Sequence, residues 1–213
     1  MPTTQTARSD ATRSRILDAA FAQVYIHGFR AASLNTIVAQ AQVTKGALFH
    51  HFPDKKTLGY AVVDEVVAPL VHHRWLAPLA DTDDPVTALQ LGFREHSDAD
   101  IASGNSALGC PLNNLAQEMS PLDPGFRTRL DALYSTWRRA LAAALTRGQR
   151  AGTVRADLDA DDTAALVVLA QTGIWGAGKS SGRPAVMRQA ARAFHAYLET
   201  LRPRAPRAPA IHT

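Results

Sequence analysis

The chain has 213 residues, 46% of them apolar and 20% charged, with a net charge of +4. That composition fits one or two compact domains with a buried core and excludes intrinsic disorder. No 18-residue stretch is free of polar side chains, so no transmembrane span is expected, and the Thr-, Ser- and Arg-rich start leads into no signal-peptide core.

A single cysteine, Cys110, rules out a disulfide within the chain and a multi-cysteine zinc site, and fits a reducing cytoplasm. Charge is uneven. Residues 1–60 hold seven Lys/Arg against three Asp/Glu, whereas 61–213 hold sixteen of each. A basic first quarter on a neutral or acidic body suggests a small polyanion-binding head attached to a larger domain of another purpose.

The elements read as helices throughout. Ile16, Leu17, Ala20, Phe21, Val24 and Tyr25 recur at helical spacing, and Gly28 supplies a stop. Ser33 is the N-cap of a short helix with Leu34, Ile37 and Val38, the stretch 41–43 breaks it, and Thr44 caps another ending at Pro53. Asp54 caps a longer helix that Pro69 should kink or end. Pro85 opens a helix to about Ala102, 103–109 is a loop, and Pro111–Met119 is short. Long helices follow over 126–150, 161–177 and 184–201. No strand alternation and no repeat is seen.

The stretch 33–52 carries the most information. Two short helices joined by a tight turn, the second opening with a capping threonine and a lysine, are the parts of a helix-turn-helix. The free N–H groups and positive dipole end of such a helix suit phosphates and base edges. Gly46 lets backbone approach DNA closely, Lys45 brings charge, and His50 and His51 lie on the exposed last turn.

In composition, order and spacing, the first helix, the segment Ser33-Leu34-Asn35-Thr36-Ile37-Val38 and the segment from Val43 through Phe49-His50-His51-Phe52-Pro53-Asp54-Lys55 resemble the DNA-binding domain of TetR/AcrR repressors, over about residues 11–65. The resemblance implies an all-α homodimer whose N-terminal three-helix head binds a double-stranded DNA operator. A larger C-terminal domain takes a small-molecule effector and dimerises through its last two helices. It places Thr44, Lys45, Gly46 and His50 at the major groove, and Ser33, His51 and Lys55 on backbone phosphates. Phe49 stands where the family usually has tyrosine and cannot make that residue's phosphate bond. On this reading 1–10 is a flexible arm, 11–55 the head, 56–202 the effector and dimer domain, and 203–213 a disordered tail, with no cofactor, metal or membrane partner.

Other motifs compete. Residues 173–180 satisfy the P-loop pattern G-x-x-x-x-G-K-[ST], which would make the protein a nucleotide hydrolase. Gly182 and Pro184 interrupt the helix a P-loop needs, and too little chain follows for further strands and an acidic metal ligand. The run Gly104–Gly109 misses the nucleophile elbow by one residue. His72, His73 and His96 lack helical ligand spacing, since adjacent residues on a helix point about 100° apart. Arg138 and Arg139 read as a solvated face.

Two apolar stripes mark the last helices: Leu166, Ala170, Gly173 and Ala177 on one, Met187, Ala191, Phe194 and Leu198 on the other. A monomer's core accommodates both; the resemblance favours a two-fold four-helix interface. Trp75, Phe93, Cys110, Asn114, Trp137, Gln171 and Trp175 are candidate effector-pocket residues, being aromatic or polar on helices that would line one cavity. Pro111 at the first helical position puts Cys110 at an N-cap, where a thiolate is favoured. The surrounding segment is similar to one in a subset of these repressors in which such a cysteine responds to electrophiles or oxidants. Lys179 would stabilise that thiolate or trap an oxidised sulfur if it approaches. A small packing residue at a helix start is the other reading of Cys110.

Overall fold

The computed structural model describes residues 4–203, with side chains from residue 6. The described residues form helices and connecting turns. The expected tail, Pro203 apart, lies outside them, as do residues 1–3.

The head consists of α1 (Thr4–His27), α2 (Leu34–Ala41) and α3 (Lys45–His51). The helix α1 begins at Thr4, which corrects the flexible arm expected over 1–10: residues 4–10 continue the helical ladder. Ser33 and Thr44 cap α2 and α3 as expected, their hydroxyls accepting from Thr36 N–H at 3.4 Å and Ala47 N–H at 3.1 Å. The turn between them is made by Gln42 in the left-handed region, φ 54°. Ile16, Ala20, Ile37, Leu48 and Phe52 pack the three helices on one another.

The Asp54 carboxylate accepts from Thr57 N–H and starts α4 (Lys55–Val62). Pro69 neither ends nor breaks the helical path beyond it. A wide π turn (Val63–Val67) leads into α5 (Ala68–Val71), and a second (His72–Leu76) leads into a 3₁₀ turn (Ala77–Leu79). Each π turn closes just before an Ala-Pro pair. Its last bond spans five residues, Ala68 N–H to the Val63 carbonyl and Ala77 N–H to that of His72. Widening the turn there spares the missing proline amide and the ring's clash with the preceding carbonyl.

The body adds α6 (Pro85–Ala102), α7 (Pro111–Met119), α8 (Pro124–Ala151), α9 (Ala160–Ser181) and α10 (Pro184–Glu199). Pro85 and Pro111 occupy the helix starts expected of them. In contrast, α9 runs four residues past Ala177, so Lys179 lies in its last turn rather than after it. The whole of 173–180 is continuous helix with no preceding strand, which overturns the P-loop alternative. No helix among the described residues is long and apolar enough to cross a membrane.

The two stripes meet different fates. Met187, Phe194 and Leu198 are buried in the protomer's own core, where α10 packs on α6 and α9 and Phe194 meets Phe93 at 4.9 Å. This corrects their assignment to the seam between copies. The α9 stripe is uncovered: Leu166 is 53% exposed, Gly173 is exposed, and Ala170 and Ala177 are half-buried, as is Ala191 on α10; Leu169, which the sequence pattern did not single out, joins this face at 60% exposed.

Candidate functional site

Two places in the molecule concentrate the sequence candidates. The first is the outer surface of α3. Thr44, Lys45, Gly46 and His50 are exposed side by side, with Phe49 46% exposed among them. A Cβ added at Gly46 would meet only the Thr44 hydroxyl, at 3.8 Å, so the glycine is not required by the fold. His51 is half-buried against Phe52 and His50, and desolvation lowers its pKa, which favours the neutral ring. Ser33 is exposed at the start of α2.

Lys55 does not join this surface. Its ammonium donates to the Arg30 carbonyl at 2.9 Å and lies 5.2 Å from the centre of the Phe29 ring. Desolvation lowers its pKa. In the free protein Lys55 thus ties the start of α4 to the loop after α1.

The second place is a chamber in the body. Trp75, Cys110, Trp137, Gln171 and Trp175 line it together with Arg74, Leu112 and Thr172, around a free volume of about 20 Å³. Trp75 stacks on Trp137 (5.5 Å, 16°) and meets Trp175 edge-on (5.7 Å, 83°). The Trp175 indole N–H donates to Asp100 at 2.7 Å, and Asp100 also accepts from both terminal nitrogens of Arg74 at 3.2 Å. Gln171 is only 1% exposed, yet neither its amide nitrogen nor its oxygen has a hydrogen-bond partner among the described residues; the Trp137 indole N–H is equally unpaired.

Three candidates fall outside this chamber. Phe93 backs Trp175 from behind, at 5.0 Å. Asn114 and Lys179 line a separate cavity of about 410 Å³ between α1 and α7. Asn114 holds the Leu108 carbonyl at 2.8 Å, and the Lys179 stem lies against Gly109, whose φ of 82° and lack of Cβ make room for it.

Cys110 is the N-cap of α7, as the proline indicated, but the electrostatics run against the expectation. Burial pushes its thiol up, and the helix-start N–H groups of Asn113 and Leu112 pull it down by less. A smaller thiolate fraction at neutral pH means slow chemistry. Alkylation of native Cys110 at pH 7.5 should therefore run slower than in denaturant. Equal rates would contradict this assignment.

Between the two places runs a set of contacts that sequence reading missed. Glu118, near the end of α7, accepts from the N–H groups of Phe29 and Arg30, both at 2.8 Å. Tyr25 donates to the Gly109 carbonyl at 2.7 Å, one residue before Cys110. Tyr60 of α4 donates to Asp123 at 2.6 Å, and Lys56 pairs with the same carboxylate at 3.5 Å. The Tyr60 hydroxyl, with the Phe126 and Gly125 N–H groups, holds the Asp123 pKa down to about 2. Arg13 of α1 is paired with Glu65, and Arg129 with Asp64 at 2.9 Å. The helix α7 thus touches the chamber at its start and the head at its end.

Comparison with known proteins agrees with this division. Residues 16–62 match the family described as "Bacterial regulatory proteins, tetR family", and residues 99–194 match "Tetracyclin repressor-like, C-terminal domain". The chain is 29% identical over 153 residues to the HTH-type transcriptional repressor DhaR of Mycobacterium sp. (strain GP1), covering 71% of this chain and 74% of that protein. It is 29% identical over 177 residues to the transcriptional regulator AcuR of Cereibacter sphaeroides, covering 81% and 78%. Among solved structures, the regulatory protein TetR from Rhodobacter sphaeroides superimposes with a TM-score of 0.77 at 25% identity, over 86% of this chain and 97% of that one. With a capped helix-turn-helix at one end and a polar-aromatic chamber at the other, the chain belongs to the tetR family of bacterial transcriptional regulators.

Proposed function

We propose that the protein is a homodimeric repressor that holds a palindromic operator with two α3 helices and releases it when a small molecule enters the body chamber. The observation that carries the DNA half is the exposed row Thr44, Lys45, Gly46 and His50 at the start and along one side of α3. Its free helix-start N–H groups and one lysine face outward, and nothing in the protomer needs the glycine. These four residues enter the major groove, while Ser33 and His51 meet flanking phosphates. The head spans about residues 11–55 and the body 56–202.

The uncovered α9 face, Leu166, Leu169, Ala170, Gly173 and Ala177, supplies the dimer contact. Its small residues let a second helix approach closely, and Leu166 and Leu169 leave water.

Control is a population shift. The chamber's free volume is only about 20 Å³, so a ligand that fills it binds an expanded state better and draws the protein into it. Movement of α7 at Cys110 and Leu112 reaches the head through Glu118. Cys110 serves in this reading as chamber wall, since its thiol is pushed up rather than down.

The test is a pair of substitutions on a palindrome selected from a random DNA pool. Lys45→Ala should weaken binding at least tenfold at unchanged melting temperature. Gly46→Ala should keep or raise the melting temperature, because alanine favours a helix by about 1 kcal/mol over glycine. It should nevertheless lose affinity at least tenfold, because the added methyl points where DNA backbone must come. Wild-type affinity in both variants would remove α3 from the interface.

A further inference from the structure

We infer that the chamber's ligand is a small uncharged carboxamide, an apolar body carrying one C(=O)–NH group. The inference rests on the reading of the chamber as the effector site and adds the chemistry of what it holds.

Three hydrogen-bonding features in the chamber wall lack partners among the described residues: the Gln171 amide nitrogen, the Gln171 amide oxygen and the Trp137 indole N–H. Both side chains are 1% exposed, so bulk water does not serve them. A buried amide left unpaired costs about 1–3 kcal/mol, and a ligand that pairs it recovers that cost on binding. The unmet set is two kinds of donor and one acceptor. A carboxamide matches it: its oxygen has two lone pairs, one for the Gln171 NH₂ and one for the Trp137 N–H, and its own N–H donates to the Gln171 oxygen.

Charge selects against the obvious competitor. The charged pair at the chamber, Arg74 with Asp100, is already neutralised by two 3.2 Å contacts, and Trp175 adds a third to the same carboxylate. A carboxylate ligand, an acceptor only, would leave the Gln171 oxygen unpaired and would compete with Asp100 for Arg74. An ester offers the carbonyl but no N–H, and leaves the Gln171 oxygen unpaired. The remaining wall, Trp75, Trp137, Trp175, Leu112 and Val71, suits a compact apolar body. Since the present free volume is about 20 Å³, room for one water at most, entry of such a molecule opens the chamber, as a release signal requires.

The chain's three tryptophans all line the chamber, so tryptophan emission, excited selectively over tyrosine, reports on it. The experiment titrates the full-length protein with three non-fluorescent probes: cyclohexanecarboxamide, methyl cyclohexanecarboxylate and cyclohexanecarboxylate. The amide should change the emission saturably, with at least about tenfold higher affinity than the ester or the anion, as expected for one unmet buried hydrogen bond. Gln171→Met, of similar length and unable to pair, should bring the amide within about twofold of the ester. It should also raise the melting temperature of the ligand-free protein, because an unpaired amide is replaced by an apolar chain. Trp137→Phe should weaken amide and ester alike. Tighter binding of the anion, equal binding of amide and ester, no saturable change with any probe, or a fall in melting temperature for Gln171→Met overturns the inference. Operator binding without probe is measured beside it. Its absence would fail the regulator reading while the probe series still decides the ligand chemistry.

Discussion

Leu169→Arg should yield a folded monomer that binds the operator at least a hundredfold more weakly than wild type, whereas Phe194→Arg should fail to fold. The two residues belong to apolar stripes on neighbouring helices, but Leu169 is 60% exposed and Phe194 5%. An arginine at Leu169 stays in water in the single protomer and meets a low-dielectric seam only when two copies join, where an unpaired charge is costly. One head retains a fraction of the contacts of two, and linkage of two half-sites contributes factors of a hundred or more. At Phe194 the arginine displaces a ring packed on Phe93 and Tyr197. Truncating a buried aromatic alone costs about 3–5 kcal/mol, and a charge left there adds to it, against a total stability of about 5–15 kcal/mol. Sedimentation and circular dichroism separate the outcomes. A Leu169→Arg protein that remains a tight-binding dimer would move the seam off α9.

Glu118→Lys should weaken operator binding roughly thirtyfold, about 2 kcal/mol, at nearly unchanged helix content. The carboxylate takes the N–H groups of Phe29 and Arg30, which sit in the loop between α1 and α2 and so fix the head's angle on the body. Hydrogen bonds to a charged acceptor are the stronger kind. Lysine offers no acceptor, and it sets an ammonium near Lys55, whose charge Glu118 now favours. A head that pivots freely loses the spacing that two half-sites need. Hydrogen exchange at Phe29 and Arg30 should accelerate at least tenfold in the same variant, and Glu118→Gln, which retains one acceptor, should lie between. Unchanged exchange together with unchanged affinity would show that α7 does not set the head's position.

The local punctuation of this chain is legible because it acts over three or four residues. Ser33, Thr44 and Asp54 cap the helices after them, and Pro85 and Pro111 open theirs, by bonds contained within one turn. The row at the start of α3 is legible for the same reason. The partner of an apolar stripe is not a local matter. The stripe of Met187, Phe194 and Leu198 reads alike whether α6 or a second copy covers it, and only the fold decides for α6. Lys55 looks like a free cation in sequence, and its carbonyl partner is 25 residues earlier. The Glu118 link spans 89 residues and has no spacing signature. Around the chamber, aromatic character on inward helix faces located Trp75, Trp137 and Trp175, while the pairing of Asp100 with Arg74 and Trp175, and the isolation of Gln171, arise only in three dimensions. For Cys110 the helix start was visible and the half-buried packing of the thiol was not, and its desolvation is the largest influence on its pKa.

Paired reading of DNA by two α3 helices is tested most directly by a chemical footprint of the wild-type protein on its selected site, combined with methylation of guanine N7 in that site. Two heads related by a two-fold axis, each with α3 in the major groove, should protect two symmetric half-sites whose centres lie about one helical turn of DNA, or a multiple of it, apart. Methyl groups on N7 within the half-sites should block binding, because they fill the major groove that the proposed reading gives to Lys45 and Gly46. A single protected half-site, or binding indifferent to N7 methylation within the protected bases, would contradict a paired major-groove reading by α3.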